Sequence, residues 1–318
     1  MKSIVFLPEP IADAGIDLLR TECDILTPSD PADRSGLYQA DAVVVRLFTV
    51  AAQDMDQAPR LKVIAKHGVG VDSIDLEAAN ARRIPVVFTP TANANAVAEH
   101  TLTLMLALAR RIGPAAVAMQ EGNFAARDTL GGIELAGKTL AVVGLGRIGA
   151  RVAQMAALGL EMTVYGYDPF MDKSQYAGPA ILVNCLEDLL PRADILTLHA
   201  PLTPETHHLI NADTLQLLKP DCHLINTSRG AAIDEIALAK ALNEGRLAGA
   251  ALDVFSAEPL PQDHPLYQTP NTLLTPHLAG ITQESMIRMS LHAAQGILAV
   301  LQGRKPDHVF NPEVYDSQ

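Results

Sequence analysis

The apolar residues of this chain are concentrated in short β-branched runs that alternate with longer stretches of helical pattern. In the first third of the chain the apolar runs are residues 3–7, 23–26, 42–45, 61–65 and 86–88. Continuous apolar strands separated by helices are typical of a parallel β-sheet that is covered on both faces. The pattern therefore predicts an α/β fold in this part of the chain.

The alternation is interrupted once and then begins again. Residues 95–111 are apolar over a length that predicts a buried helix, and we expect Gly113 and Pro114 to end it. Further strands are predicted at residues 139–143, 163–167, 181–183, 195–198, 224–226, 250–252 and 272–274. Residues 281–301 predict one long helix, and residues 311–318 predict a polar tail. The restart indicates a second doubly wound parallel-sheet domain.

Composition and charge narrow the class of protein. The chain has 318 residues, and 24 Lys and Arg against 36 Asp and Glu give a net charge of −12. An acidic surface repels phosphate backbones, and no apolar stretch reaches the roughly 18 residues that span a bilayer, so we expect neither a nucleic-acid nor a membrane partner. The N-terminal residues lack the apolar core of a signal peptide. The three cysteines, Cys23, Cys185 and Cys222, lack metal-ligand spacing, so we expect buried thiols, no structural metal site and a cytoplasmic location.

Two glycine loops follow predicted strands, and only one fits a dinucleotide. The loop at residues 144–149 contains Gly144, Gly146 and Gly149, which suit a tight turn, a close approach to pyrophosphate and helix–strand packing. The loop at residues 67–73 has Ser73 in the third position. We therefore expect the pyrophosphate at residues 144–149, on the free N–H groups of the following helix, with Arg147 and Ile148 between the glycines.

An acidic residue decides between the two loops. A dinucleotide site requires an acid at the end of the next strand, about 20 residues on, to bind the ribose hydroxyls. Asp168 ends the strand that follows the second loop, whereas Thr89 and Pro90 follow the corresponding strand after the first. Because Asp168 would repel a 2′-phosphate, the sequence predicts NAD rather than NADP as the cofactor.

Several downstream motifs closely resemble those of the D-2-hydroxyacid dehydrogenase family, with phosphoglycerate dehydrogenase-like members nearest. They are NAVAEH at 95–100, HAPL at 199–202 with Thr206, NTSRG at 226–230, ALDVF at 251–255 leading to Glu258, and TPHLAG at 275–280. The resemblance implies a flavodoxin-like substrate-binding domain of residues 1–94 and 285–318, and a Rossmann NAD-binding domain of residues 95–284. It also implies an active site in the cleft between the domains and a homodimer built around the NAD domain. Because the sequence ends at residue 318, we do not expect the C-terminal regulatory domain of longer phosphoglycerate dehydrogenases.

Three residues in these motifs fit the chemistry of 2-oxo acid reduction. Arg229 can hydrogen-bond the carboxylate and carbonyl oxygens with a permanent charge, and His277 can give and regain a proton near neutral pH. Glu258 can orient the imidazole through its other ring nitrogen. Taken singly, an Arg-Gly pair is typical of a solvated turn and a Glu-Pro pair of a helix end. The resemblance identifies the three together as the catalytic Arg, Glu and His.

The resemblance also assigns binding residues. Asp253 matches the residue that binds the nicotinamide carboxamide, although an N-cap would explain it as well. Val69 and Gly70 match the loop that holds the substrate carboxylate, together with Arg229 and His277. Arg46 matches a substrate-domain Arg of phosphoglycerate dehydrogenases, but Leu47 follows it where those enzymes have Ser, which makes a phosphate-bearing substrate less certain. Further cofactor contacts are expected at Ala200, Pro201, Thr206, Thr227, Ser228 and Gly280.

The sequence thus predicts an NAD-dependent oxidoreductase that interconverts a small D-2-hydroxy acid and its 2-oxo acid. One alternative is a glyoxylate/hydroxypyruvate reductase; an NADPH-dependent form would need Arg or Ser near the ribose acid, where this chain has Pro169 and Phe170. A second alternative is an NAD-sensing binding module similar to the corepressors built on this fold, which keep the same Arg, Glu and His. Turnover of 2-oxo acids with NADH would distinguish an enzyme from a sensor.

Overall fold

The predicted apolar strands form two parallel sheets, one in each of two units of the chain. In a computed structural model that describes residues 2–30 and 32–316, unit 1 comprises Met1–Asn93 with Gly280–Gln318, and unit 2 comprises Ala94–Ala279. The polypeptide enters unit 2 once and leaves it once, so unit 1 is assembled from both ends of the chain.

Unit 1 is built on a sheet whose described strands follow the order β2-β1-β3-β4-β5. The strands are β1 Ser3–Phe6, β2 Cys23–Leu26, β3 Ala42–Val45, β4 Val63–Lys66 and β5 Val86–Val87. All pairings are parallel, and every residue of β3 and β4 is buried because helices cover both faces of the sheet. This strand order is that of flavodoxin-like folds, which confirms the predicted class for this unit.

The helices of unit 1 come from both parts of the chain. They are α1 Asp13–Arg20, α2 Ser35–Gln39, α3 Ala52–Gln57, α4 Leu76–Ala81 and, near the C-terminus, α11 Gln283–Leu301. The helix α11 packs against α1 and β4, where Ala293, Ala294 and Ile297 are buried with the sheet residues. The C-terminal helix thus completes the apolar core of the N-terminal sheet.

Unit 2 contains the longer sheet, with the described strands in the order β12-β11-β10-β9-β6-β7-β8. The strands are β6 Thr139–Val143, β7 Thr163–Tyr167, β8 Ile181–Leu182, β9 Ile195–Leu198, β10 His223–Asn226, β11 Gly249–Leu252 and β12 Thr272–Leu274. The chain order reverses between β6 and β9, as in a Rossmann sheet, so a crevice opens there at the carboxyl ends of the strands.

Helices cover both faces of this second sheet. They are α5 Ala94–Ala109, α6 Ile112–Gln120, α7 Arg147–Gly159, α8 Leu186–Leu189, α9 Ala212–Leu215 and α10 Glu235–Asn243. The helix α5 packs against α7 and β10, and most of its apolar residues are buried. Among the described residues no single helix is long and apolar enough to cross a membrane; α5 and α6 pass that test only as a pair bent by 65°.

Two local predictions were wrong for physical reasons. Gly113 and Pro114 do not close a helix; α5 ends at Ala109 and the two residues lie in the first turn of α6, where a proline's missing N–H costs nothing. Asn311 is not in a polar tail but is 2% exposed, and its Oδ1 accepts a hydrogen bond from the backbone N of Val86 at 2.7 Å. The last two residues of the predicted tail, 317 and 318, lie outside the described residues.

Candidate active site

The glycine-rich loop of unit 2 connects β6 to α7. Gly144 has φ 85°, and a Cβ there would lie 2.8 Å from the backbone of His199 and Ala200. A Cβ at Gly149 would overlap the carbonyl oxygen of Gly144, whereas one at Gly146 would meet no protein atom within 4 Å. Packing inside the protein therefore requires glycine at 144 and 149, while the surface at Gly146 is open to a ligand.

The first turn of α7 supplies the hydrogen-bond donors of this loop. The helix begins at Arg147, and Gly146 before it has no side chain that could cap the first amides. Amides of a first turn have no acceptor within their own helix, and they lie at the positive end of the helix dipole. The predicted contacts Arg147 and Ile148 belong to this turn, which therefore fits the pyrophosphate of a dinucleotide.

The predicted ribose ligand Asp168 lies beside the same loop. It follows β7, which pairs in parallel with β6, so the two strand ends are neighbours. The Oδ2 atom of Asp168 accepts the N–H of Leu145 at 2.9 Å, and Oδ1 accepts the N–H of Phe170 at 3.0 Å. The structure thus joins the acid and the glycine loop, and the donor and acceptor set fits NAD.

Further predicted cofactor residues of unit 2 follow β9, which neighbours β6, and β10, the next strand in the sheet. Ala200 and Pro201 follow β9, and the hydroxyl of Thr206 donates to the carbonyl of Pro201 at 2.7 Å. Thr227 and Ser228 follow β10; Thr227 is buried, while Ser228 is partly exposed. These residues therefore line the carboxyl edge of the sheet near its switch point.

The first glycine loop has a different geometry. It follows β4 in unit 1, and its residues lead into α4 only at Leu76, so Val69 and Gly70 do not run directly into a helix as the residues of the second loop do. The carbonyl of Gly68 accepts both the N–H and the hydroxyl of Thr89, at 2.9 and 3.0 Å. The loop is thus fixed as a turn with partly exposed residues at 69 and 70.

His277 and Glu258 are in direct contact. The Nδ1 atom of His277 lies 2.7 Å from Oε2 of Glu258, and Oε1 of Glu258 accepts the N–H of Phe255 at 3.0 Å. Burial opposes ionisation of Glu258, but the hydrogen bonds from His277 and from Phe255 prevail and lower the pKa of its carboxyl. The carboxylate therefore holds the imidazole by one nitrogen and leaves Nε2 as the atom able to exchange a proton with a substrate.

Arg229 follows β10 at the carboxyl edge of the same sheet. Its Nη1 donates to the carbonyl of Ser228 at 2.6 Å, and its own carbonyl accepts from Nδ2 of Asn226 at 2.9 Å. Arg229 is partly exposed, and its planar guanidinium can offer two parallel donors to an anion.

Asp253 is the buried centre of the turn that includes His277. Its side chain is fully buried, and its carboxylate accepts from the hydroxyl of Thr275 at 2.6 Å and from the N–H groups of Leu278 and Ala279 at 3.0 and 2.8 Å. Burial raises the pKa of this carboxyl, yet these hydrogen bonds and one from His100 lower it overall. The carbonyl of Asp253 also accepts the N–H of His277 at 2.8 Å.

Some predicted residues belong to unit 1 rather than to unit 2. They are Arg46, Val69, Gly70 and Gly280. The backbone N–H of Arg46 donates to Glu9 at 2.7 Å, and its guanidinium donates to the carbonyl of Pro10 at 3.0 Å. Gly280 precedes α11, where its carbonyl accepts the hydroxyl of Ser285 at 2.6 Å.

Sequence reasoning missed several polar residues in contact with these loops. They are Glu9, Lys66, His100 and Glu235. Of these, His100 lies in a motif of the family resemblance, but no pattern indicated its contact with Asp253. Glu235 is an ordinary helix-start acid by sequence, and its contact is with a loop distant in the chain.

The sheet order reversing at β6, the ligand-accessible Gly146 and the acid at the end of β7 define a dinucleotide-binding oxidoreductase fold. A family model described as D-isomer specific 2-hydroxyacid dehydrogenase, NAD binding domain, matches residues 102–279, which is more than half of the chain. The chain belongs to the D-2-hydroxyacid dehydrogenase family, and its cofactor is NAD. The predicted family, fold and cofactor are thereby confirmed.

Individual relatives agree with this membership. A glyoxylate reductase of Thermofilum pendens is 40% identical over 322 residues, covering 98% of this chain and 95% of that protein. A D-3-phosphoglycerate dehydrogenase of Methanocaldococcus jannaschii is 40% identical over 315 residues, covering 96% of this chain but 59% of that protein. The structure of a D-lactate dehydrogenase of Aquifex aeolicus with NAD and lactic acid gives a TM-score of 0.86 at 29% identity, covering 99% of this chain and 100% of that one.

Proposed function

We propose that this chain catalyses the interconversion of a small 2-oxo acid and its D-2-hydroxy acid, with Arg229, Glu258 and His277 as its catalytic residues. The observation that supports this most directly is the 2.7 Å contact between Nδ1 of His277 and Oε2 of Glu258. A carboxylate on one imidazole nitrogen fixes the orientation of the ring and leaves the other nitrogen as the one that can act as an acid.

In the reductive direction the protein's residues bind the substrate carboxylate and supply the proton for the new hydroxyl. The guanidinium of Arg229 binds the substrate carboxylate and the carbonyl oxygen, which withdraws electron density from C2. When bound, the reduced nicotinamide of NADH supplies the hydride that becomes the new hydrogen on C2. The Nε2 proton of His277 moves to the carbonyl oxygen, which becomes the hydroxyl, and Glu258 stabilises the imidazole throughout.

The remaining site residues keep their predicted roles in this proposal. Asp253 would bind the nicotinamide carboxamide, and Val69 and Gly70 would hold the substrate carboxylate through their backbone. Residues 1–94 and 285–318 would form the substrate-binding domain, and residues 95–284 the NAD-binding domain. We also propose a cytoplasmic location, since all three cysteines are free.

Turnover measurements test the proposed function. The purified chain is mixed with NADH and with glyoxylate, pyruvate, hydroxypyruvate, oxaloacetate or 3-phosphohydroxypyruvate, and the absorbance of NADH is followed. We expect reduction of at least one of them, and the D-isomer of the hydroxy acid from any that gives a chiral product. NADH binding without turnover of any 2-oxo acid would contradict the proposal and favour an NAD sensor.

A glyoxylate or hydroxypyruvate reductase is the second candidate for the substrate. One observation in its favour is that the T. pendens glyoxylate reductase aligns with this chain over 95% of its own length. A second is that Arg46 is followed by the apolar Leu47, which is 72% exposed. An exposed leucine offers no hydrogen bond to a phosphate. This candidate predicts a higher kcat/KM for glyoxylate or hydroxypyruvate than for 3-phosphohydroxypyruvate in the panel above.

We propose further that the chain forms a homodimer through unit 2. Ile112, Val117, Met119 and Phe124 are each between 53% and 65% exposed, and all lie in or just after α6. Such a concentration of exposed apolar side chains is typical of an interaction surface. Light scattering after size exclusion should give a molar mass twice that of one chain. Val117→Asp should lower this mass toward that of the monomer. The control Leu158→Asp, at a side chain 75% exposed on α7, should leave the dimer intact.

A further inference from the structure

The loop that includes Glu258 is held by a second carboxylate, that of Glu235. Oε1 of Glu235 accepts the backbone N–H of Ser256 at 2.7 Å. Ser256 lies between Phe255, whose N–H donates to Glu258, and Glu258 itself. One buried acid thus fixes the middle of the loop whose two ends are joined by the catalytic carboxylate.

Glu235 is itself fixed on a rigid element. It is 8% exposed in the first turn of α10, and Asp234 before it caps that helix by accepting from the N–H groups of Ile236 and Ala237. An acid in a first turn is also favoured by the helix dipole. The carboxylate of Glu235 is therefore placed by the sheet-packed helix rather than by the loop that it contacts.

His264 contacts the second carboxylate oxygen of Glu235. Its Nε2 lies 3.4 Å from Oε2 of Glu235, and its Nδ1 accepts the backbone N–H of Leu266 at 3.4 Å. Because a backbone N–H can only donate, Nδ1 must be the acceptor and the ring proton on Nε2 faces the carboxylate. Both oxygens of Glu235 are thus used, which fixes the rotation of the carboxylate toward Ser256.

The opposite side of the loop is packed against the residue that follows Arg229. A Cβ on Gly230 would overlap the backbone carbonyl of Phe255 and the backbone nitrogen of Ser256. The peptide between 255 and 256 is therefore confined between the Gly230 backbone on one side and the carboxylate of Glu235 on the other. A shift of this peptide would move Glu258, and through it the imidazole of His277.

We propose that Glu235 is a positioning residue that sets the distance between Glu258 and His277 by holding the N–H of Ser256. The inference rests on the proposed function for its catalytic consequence, but the contact itself does not depend on the reaction. What matters in this proposal is the reach of the side chain from α10 to Ser256, and not the negative charge at the helix N-terminus.

Two substitutions separate reach from charge. Glu235→Gln keeps the length and an acceptor oxygen for Ser256 but loses the charge and the acceptor that faces Nε2 of His264. Glu235→Asp keeps the charge but is one methylene too short. We expect Glu235→Gln to keep more of the wild-type kcat than Glu235→Asp does. We expect Glu235→Asp to lose about 10–100-fold in kcat with KM for NADH nearly unchanged, the scale expected for displaced catalytic groups.

A matched control comes from the neighbouring residue. Asp234→Ala removes the cap of the same helix without changing a residue of the 255–258 loop. It should lower Tm but leave kcat per folded enzyme unchanged. A shift in the midpoint of the kcat/KM pH profile is expected for Glu235→Asp only, since a purely structural loss would not alter the titration of the catalytic pair.

Hydrogen exchange of the peptide spanning 253–260 gives a readout that needs no turnover. The proposal expects faster exchange in Glu235→Asp than in either Asp234→Ala or Glu235→Gln. The proposal is overturned if Glu235→Asp matches wild type in kcat and exchange, or if Glu235→Gln loses more kcat than Glu235→Asp, since charge would then be the relevant property. Should the wild type fail to reduce any 2-oxo acid, the proposed function would fail, while the exchange result would still decide whether Glu235 holds the loop.

Discussion

The imidazole Nδ1 of His277 and the carboxylate Oε2 of Glu258 are 2.7 Å apart although the two residues are separated by 19 positions and lie on different loops. The backbone angle φ of His277 is 50°, in the left-handed region, and its backbone N–H donates a hydrogen bond to the carbonyl of Asp253. The backbone that presents the imidazole is therefore fixed by Asp253, and the ring itself is fixed by Glu258.

Replacing His277 tests its role as the proton donor. His277→Gln should lower kcat by about 10²–10⁴-fold, the usual contribution of a positioned general acid, while NADH binding measured by fluorescence titration stays nearly intact. Glu258→Gln should also lower kcat, because it replaces the charged acceptor that holds Nδ1 of His277 by a neutral amide. The control His308→Gln, in unit 1, should change neither quantity. Near-wild-type turnover of His277→Gln would exclude that residue as the donor.

Asp168 should determine cofactor choice. Because its carboxylate would repel a 2′-phosphate, the wild type should show a much higher kcat/KM with NADH than with NADPH. Asp168→Ala should reduce this preference, because it should lower kcat/KM with NADH more than kcat/KM with NADPH. The control Asp172→Ala, at an exposed acid that bonds only to its local turn, should keep the wild-type ratio. Equal use of both cofactors by the wild type would show that Asp168 does not select the cofactor.

Alanine substitutions of Gly146 and Gly149 in the nucleotide loop should have different effects, one on cofactor binding and the other on stability. Gly149→Ala places a Cβ against the carbonyl of Gly144, so we expect a lower Tm even without cofactor. Gly146→Ala meets no protein atom within 4 Å and has φ −65°, so Tm should be unchanged. Its methyl group should instead raise the Kd for NADH. The opposite assignment of the two effects would contradict a pyrophosphate site at Gly146.

Two arginines should affect substrates differently. Arg229→Lys loses the planar pair of donors and should impair every 2-oxo acid to a similar degree. Arg46→Ala should impair acids with a second anionic group far more than glyoxylate or pyruvate, since the guanidinium forms no ion pair with a carboxylate among the described residues. Measuring kcat/KM across neutral-tailed and anionic-tailed acids checks both. If Arg46→Ala lowers kcat/KM equally for acids with and without a second anionic group, Arg46 does not bind that group.

Asp253 should make stability depend on pH. Its carboxyl has a lowered pKa in the folded protein, so its stabilisation is complete above the unfolded value of about 4 and is lost as pH falls through the lower folded value. Asp253→Asn should lower Tm at pH 7, since an amide cannot accept from all of its donors. The difference from wild type should shrink below about pH 4. A difference that stays constant down to pH 3 would contradict this assignment, and Asp307→Asn at the surface is the control.

The sequence by itself determined the elements and the nucleotide loop. Buried parallel strands are apolar along their whole length, so β3 and β9 could be located to the residue from hydrophobic runs alone. The loop at Gly144–Gly149 could be chosen because its three glycines and Asp168 are constrained by local geometry and a fixed spacing. The identity of Arg229, Glu258 and His277 came from motifs in their order along the chain.

Tertiary structure alone decided which polar groups hold these residues in place. Nothing near Glu235 in the sequence indicates Ser256, 21 residues away, and nothing near Asn311 indicates Val86, 225 residues away. The side chains of Asp253 and Asn311 are polar and would be expected at the surface from composition alone, yet they are 0% and 2% exposed. Their burial is stable only because backbone donors from distant segments satisfy them, and such pairings exist only once the chain has folded.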